Sequence, residues 1–338
     1  MLFNLNADKA PWPKTPLIIQ FEITSSCNLN CIYCYAKPFT NKIMRFEDFK
    51  YLADKTYNEA KPFEFGILGG EPFLHPQILD IIEYSLGKFP SVGISTNGTL
   101  IWKLSKDDLI RLKYAVESGL DLQISLDSHI SSIHDAVRGS FNLTLKSLYV
   151  LEKYNIPFTI GIVVTSVNAP TLIETVEWLI TNFKNIEKIH FENVMPSVIM
   201  DRDLYYKLRL KDPIKFWRSI TPKLAELSRK YNVYIDLPFT NNANLHYVMQ
   251  NINYGLCLAG ITRAIVKVDG TIVPCELVHT LKLGNLYKED WHTIWERARK
   301  IMLTINEKIV KGLQLKGYGL CRLMNLEKII TPNDIETF

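Results

Sequence analysis

Three cysteines, Cys27, Cys31 and Cys34, fall within eight residues of the stretch SCNLNCIYCYA, separated by three and then two residues. Three thiolates on one compact loop suit three corners of an iron-sulfur cluster, whereas a structural zinc site takes four protein ligands in a closed shell. The nearest histidine in sequence, His75, lies well outside the loop. A zinc site completed by a ligand that the fold brings in, and a trio of buried structural thiols, are the other readings. A cluster held by three thiolates leaves one iron open to bind and reduce a ligand.

Such a loop needs a scaffold, and the chain supplies alternating elements to build one. Short β-branched runs at 16–24, 63–68, 91–96, 121–127, 158–165 and 188–193 read as strands. Stretches such as FEDFKYLADKTYNEA and KDDLIRLKYAVESG between them repeat apolar residues at three and four, the helical spacing. Strand, helix, strand repeated six times predicts parallel βα units, which curl into a partial barrel or spread as an open doubly wound sheet. In a barrel the functional loops sit at the C-terminal ends of the strands, and the cysteine trio directly follows the first strand.

The bulk composition narrows the classes. With 338 residues, 47% of them apolar, the chain can bury a large core, and 39 basic against 35 acidic residues lack the clustered basic excess of a nucleic-acid binder. The N-terminal stretch has no apolar core of a secretion signal, and no apolar run reaches the roughly 18 residues of a membrane span. Six cysteines are too few for a disulfide scaffold in a chain of this length. The expectation is a soluble, cytoplasmic protein with no nucleic-acid or membrane partner.

CNLNCIYC, with an aromatic residue before its last cysteine, resembles the signature of the radical S-adenosylmethionine enzymes. The resemblance implies that Cys27, Cys31 and Cys34 hold a [4Fe-4S] cluster whose open iron is chelated by S-adenosylmethionine. Reductive cleavage would then yield a 5′-deoxyadenosyl radical that abstracts hydrogen from substrate; the cofactor carries that chemistry and the protein supplies position and enclosure. Tyr33 would pack near the adenine.

The later strand ends carry supporting motifs. GILGGEPFLHP (66–76) resembles the segment that binds the methionyl amine, which makes Gly69, Gly70, Glu71 and Pro72 candidates; a glycine turn with a capping glutamate is the plainer reading. His75 is expected to order a helix start. Thr96 and Asn97 end the third strand, and Ser125 and Asp127 the fourth. Such residues are common turn formers and caps, and the resemblance places them against the cosubstrate. HDAVRG (134–139) is similar to a family segment whose arginine, here Arg138, would reach the cosubstrate carboxylate with its two-pronged guanidinium. GIVVTSVN (161–168) is compatible with backbone contacts to adenine.

Beyond about residue 200 two helical stretches, 203–230, lead to a short strand, VYIDLP, and a helical segment ending near 257. RAIVKVDGTIVPCEL (263–277) reads as a β-hairpin turning at Asp269 and Gly270, and a helix over about 289–303 follows. The segment from Cys257 through Cys275, Gly284, Asn285 and Trp295 resembles the auxiliary-cluster domain called SPASM, or its shorter form Twitch, with Cys321 as the ligand returning from the tail. Three cysteines suit the one-cluster form, an auxiliary [4Fe-4S] cluster whose fourth ligand is unassigned. Trp291 and Trp295 read as packing residues.

The combined expectation is an α/β chain, a partial (β/α)6 TIM-like barrel followed by a small α+β domain with a β-hairpin. Its parts are an N-terminal extension (1–15), the barrel core (16–200), a helical connection (201–250) and the auxiliary-cluster domain (251–338). The resemblance implies an oxygen-sensitive oxidoreductase or maturase acting on a peptide or protein side chain or on a small-molecule cofactor precursor, with a flavodoxin or ferredoxin as low-potential electron donor. About fifteen residues precede the first strand, which argues against a separate domain for capturing a precursor's leader. No general acid or base is identifiable, since Asp236, His246, Glu276 and His279 are each unremarkable alone. The rival class is a non-enzymatic iron-sulfur or zinc protein, an electron carrier or a metal-stabilised binding module.

Overall fold

The computed structural model describes residues 13–197, 200–238 and 259–310. Strand β1 (Ile18–Glu22) buries Ile19 and Phe21 on one face and turns Gln20 and Glu22 to the other, the two-residue period of a strand. Helix α1 (Phe46–Glu59) returns over the buried face with Phe49, Leu52, Ala53 and Thr56 inward and carries Glu47 and Asp48 in its first turn, where the helix dipole favours them.

The unit then repeats. β2 (Glu64–Leu68), α2 (Ile78–Leu86), β3 (Val92–Thr96), α3 (Lys106–Glu117) and β4 (Leu120–Ser125) follow, and then two helices, α4 (Ser131–Val137) and α5 (Phe141–Lys153). Next come β5 (Phe158–Val164), α6 (Leu172–Asn182), β6 (Ile186–Asn193), α7 (Arg202–Leu208), α8 (Pro213–Tyr231) and β7 (Tyr234–Asp236). All six expected strands form, each within three residues of its anticipated ends, and all pair in parallel. β7 adds a seventh parallel strand beside β6. The helical segment expected before Cys257 lies outside the described residues.

The hairpin forms as β8 (Arg263–Val266) and β9 (Thr271–Val273), followed by β10 (Gly284–Asn285). Its turn differs from the expectation of positive φ at both Asp269 and Gly270. Only Gly270 lies there, at +77°, and the loop spans three residues closed by Lys267 N–H to Thr271 O at 2.8 Å. That is the three-residue loop in which a left-handed glycine supplies the twist. β8 pairs in parallel with β1, so the hairpin extends the barrel sheet rather than building a separate one. The strand order is β10-β9-β8-β1-β2-β3-β4-β5-β6-β7. The last helix, α9 (Trp291–Val310), packs on α1.

The core lies between sheet and helices. Phe21, Phe49, Phe65 and Phe89 interlock there, with the Phe65 and Phe89 rings stacked at 4.1 Å. Full burial of each such side chain contributes about 1.5–3 kcal/mol. The opposite face of β1 to β5 is lined with small and polar residues. Gln20 lies across Gly66 and Gln123 across Gly161, each within 2.7 Å of where a Cβ would stand. Side chains at those glycines would displace the glutamines, so the lumen keeps its polar, narrow wall.

Candidate active site

The cysteine loop leaves β1 at its C-terminal end and is pinned from two sides. The segment after β2 approaches through Gly70 N–H to Thr24 O and Glu71 N–H to Ser26 O, both 2.8 Å, while Ile32 N–H reaches Val137 O at 2.9 Å. A Cβ on Gly70 would press into the Ser26 carbonyl and stand 2.9 Å from Cys27 Cβ; one on Gly69 would stand 2.8 Å from Thr24 O. In this arrangement the two glycines let the cysteine loop close down on the strand end.

The three thiols share this loop. Leu29 N–H donates to Cys27 Sγ at 3.4 Å, and Cys31 Sγ lies 3.7 Å from the Arg138 carbonyl. Burial pushes the Cys27 thiol up to about 11 and raises that of Cys31, so a metal must expel protons to be ligated. A zinc tetrahedron needs its donors about 2.3 Å from one point. Among the described residues no three Cys, His, Asp or Glu side chains meet in a way that could hold a single ion. Three thiols on one loop, one receiving an amide N–H, are the donor set of three corners of a multi-iron cluster.

Glu71 is almost fully buried and its carboxylate is already engaged. Oε1 accepts from Thr96 Oγ1 at 2.5 Å and from Phe73 N–H at 3.0 Å, and Oε2 accepts from Asn97 N–H at 2.8 Å. It caps the 3-10 turn Pro72–Leu74, the plainer of its two sequence readings, and ties the end of β2 to that of β3. Burial raises its pKa against these three donors. Asn97 reaches back to the cysteine loop through Nδ2 to Asn28 Oδ1 at 3.0 Å. Asn28, absent from the sequence-based candidates, also donates to Thr99 Oγ1 at 2.7 Å. His75 donates to Met44 O at 2.7 Å and accepts from Gln77 N–H at 3.1 Å, ordering the start of α2 as expected.

Asp127, fully buried, is the hub of the next strand end. Arg138 donates to it through Nε at 3.1 Å and Nη2 at 3.4 Å, Val163 N–H reaches Oδ1 at 2.9 Å, and the Tyr33 hydroxyl bonds Oδ2. The guanidinium lies 5.4 Å from the Tyr33 ring centroid, a cation–π distance. Tyr33, Asp127 and Arg138 are therefore one unit beside Cys31. Ser125 ends β4 half-buried opposite Gly161.

The chain matches the radical SAM superfamily over residues 21–179 and an iron-sulfur cluster-binding domain, SPASM, over residues 257–322. This chain belongs to the radical SAM superfamily. The antilisterial bacteriocin subtilosin biosynthesis protein AlbA of Bacillus subtilis is 36% identical over 293 residues, covering 83% of this chain and 59% of that protein. An AdoMet-dependent heme synthase of Methanosarcina barkeri is 25% identical over 330 residues, covering 90% and 88%. The chain spans only 59–62% of the length of AlbA and of a Methanocaldococcus jannaschii relative 33% identical to it. In structure it superposes on Streptococcus suis SuiB bound to S-adenosylmethionine with a TM-score of 0.72 at 18% identity, over 94% of this chain and 76% of SuiB, which is a likeness of fold.

A radical SAM domain implies S-adenosylmethionine and a [4Fe-4S] cluster, and SPASM implies an auxiliary cluster. The radical SAM match spans β1 to α6 with all three clustered cysteines; the SPASM match takes in Cys257, Cys275 and Cys321. Of these, Cys257 and Cys321 lie outside the described residues. Cys275 follows β9, and its Sγ accepts the amide N–H two residues on, from Leu277 at 3.4 Å, the same local arrangement as Cys27 with Leu29. Trp291 is fully buried and donates to Thr56 Oγ1 at 3.0 Å, a packing role as expected. Trp295 donates to Pro13 O at 3.2 Å.

The SPASM hairpin is fastened to the radical SAM barrel at the lumen. Lys267 pairs with Glu22 of β1, and His279 Nε2 bonds the carbonyl of Tyr35. Sequence reasoning missed one group here. His190 of β6 faces Asp236 of β7 through Nδ1 at 2.8 Å and Glu192 through Nε2 at 3.4 Å. Burial works against its charge, yet Glu192 and Asp236 outweigh it and raise its pKa. The signal available was that β6 and β7 would be neighbours in register; Asp236 alone carried none.

Among the described residues no helix is long and apolar enough to cross a membrane.

Proposed function

We propose that this chain is a radical SAM enzyme that modifies a peptide side chain. The arrangement that carries the reading is the trio Cys27, Cys31 and Cys34 on one loop at the strand end, a loop whose own sequence holds no fourth cysteine or histidine. When bound, the [4Fe-4S] cluster and S-adenosylmethionine supply the 5′-deoxyadenosyl radical that takes a hydrogen atom from the substrate.

The chain's own residues bind and enclose. In this proposal the cosubstrate lies along Gly69, Gly70, Glu71 and Pro72, between Thr96 with Asn97 and Ser125 with Asp127. Tyr33 and Arg138 stand on the cysteine side. Nε and Nη2 of Arg138 are committed to Asp127, which leaves Nη1 for a ligand carboxylate. Glu71 acts by holding the strand ends at fixed spacing, since its oxygens already serve Thr96, Asn97 and Phe73. Cys257, Cys275 and Cys321 hold the auxiliary [4Fe-4S] cluster. A flavodoxin or ferredoxin is the electron donor, and a reducing cytoplasm is the setting in which such thiols stay available. The division into barrel core (16–200), connection (201–250) and auxiliary domain (251–338) belongs to the same proposal.

Support for a peptide substrate comes from AlbA, a bacteriocin biosynthesis protein by name. The heme synthase match, which runs nearly the full length of both chains, favours a haem precursor as the second reading.

The test is anaerobic reconstitution with iron and sulfide, iron counting, and assay of 5′-deoxyadenosine release under dithionite. About eight irons with release is the expected result for two four-iron clusters. About four with release would keep the enzyme and remove the auxiliary cluster. Zinc in place of iron, without release, would overturn the reading. Mass analysis of a bacteriocin precursor peptide and of a haem precursor after incubation separates the two substrates.

A further inference from the structure

On the rim of the barrel, where the loop after β5 meets α7 and the start of α8, lies a cavity of about 350 Å³ lined by Ala169, Pro170, Leu210 and Phe216 below and by Lys207, Arg209 and Lys211 at its edge. The loop is bonded to α7 through Ser166 N–H to Leu208 O at 2.7 Å, and α8 is anchored to the end of β6 through Trp217 Nε1 to Asn193 Oδ1 at 3.0 Å. The groove is therefore built on the C-terminal ends of β5 and β6, the same face that carries the cysteine loop.

The edge is cationic. Residues 207–215 hold Lys207, Arg209, Lys211 and Lys215 against one carboxylate, Asp212, which is turned onto a helix N–H group as a cap. Among the described residues no carboxylate lies within ion-pair distance of Lys207, Arg209, Lys211 or Lys215. Arg209 instead lies over the Tyr206 ring at 4.7 Å. An apolar floor with an unpaired cationic edge suits a ligand that alternates acidic and apolar side chains.

We propose that this groove docks an acidic, apolar segment of the peptide substrate and so feeds the rest of the peptide into the lumen. The inference rests on the peptide reading above and deepens it. A peptide is favoured over an acidic electron carrier by position. The cysteine loop follows β1, four strands from β5, or roughly 19 Å along the sheet at about 4.8 Å per strand. A carrier seated here would stand far from the cluster, whereas an extended chain spans that distance in about six residues.

The test uses the reconstituted full chain and a fluorescein-labelled dodecapeptide of alternating glutamate and leucine, followed by anisotropy. The wild-type chain is expected to bind it, more weakly as salt rises. Lys207→Glu, Arg209→Glu and Lys211→Glu combined weaken binding by about ten-fold or more. Lys106→Glu with Lys153→Glu, on exposed faces of α3 and α5, leaves it unchanged, and circular dichroism and iron content match the wild type in both variants. Equal binding by the triple variant, or by the peptide with glutamine for glutamate, overturns the proposal. So does a triple variant that binds the peptide normally but releases 5′-deoxyadenosine slowly only with flavodoxin as reductant, which would make the groove a carrier dock. Failure of the wild-type chain to release 5′-deoxyadenosine under dithionite strikes the enzyme reading alone, because binding is read without turnover.

Discussion

Arg138 closes a two-point ion pair on Asp127, Nε to Oδ2 at 3.1 Å and Nη2 to Oδ1 at 3.4 Å, with the arginine side chain 10% exposed and the aspartate not at all. The pair stands beside Cys31 and shares the Tyr33 hydroxyl, so the geometry of the cysteine loop and of the fourth strand end are set together. Asp127→Asn leaves the guanidinium buried without its counter-charge, and such a loss costs about 3–5 kcal/mol. Urea unfolding of the apo-protein should show it as a lowered midpoint; a shift under about 1 kcal/mol would mean that the pair is dispensable to the fold.

Gly70 is where the barrel admits the cysteine loop. Gly70→Ala forces the Ser26 carbonyl and Cys27 aside, so reconstituted iron should fall toward the auxiliary complement alone while helix content stays. Gly93→Ala is the matched control, since its Cβ would meet nothing nearer than 3.8 Å. Equal iron in both variants would show that the loop can yield without cost.

His190 supplies a pH dependence with a definite sign. Burial opposes its charge, but Glu192 and Asp236 prevail and hold its pKa above the ordinary 6.5, so the folded chain binds the proton more tightly than the unfolded one. Its contribution to stability is complete below the unfolded value and is lost as pH rises through the folded value. Histidine NMR of the apo-protein should find its midpoint above that of an exposed histidine. Asp236→Asn should move that midpoint down; an unmoved midpoint would show that Asp236 does not set it.

Trp291 joins the SPASM helix to the barrel. Its indole N–H donates to Thr56 Oγ1 at 3.0 Å with both side chains fully buried. Thr56→Val keeps the shape and orphans the donor, at a cost of about 1–3 kcal/mol. A single cooperative transition at lower urea would show that α1 and α9 unfold together. Loss confined to an early partial transition would show that the hairpin and its helix melt first.

Local spacing settled much of this protein on its own. The cysteine trio, the six strands of the partial barrel and the hairpin at Gly270 each depend on residues near one another in the chain, where periodicity, β-branching and turn chemistry act directly. His75 and Trp291 were legible for the same reason: a helix start and an apolar helix face are local patterns.

What remained for the tertiary structure were the partners. Nothing in the spacing says that Gly70 would meet Ser26, that the Glu71 carboxylate would be spent on Thr96 and Asn97, or that β8 would pair with β1 across more than 240 residues. His190 finds Asp236 only because β6 and β7 align in parallel register, and the cations of α7 become a groove only against the loop after β5. These contacts depend on strand order and crossover path, which fix distances between residues far apart in sequence and leave no periodic trace in it.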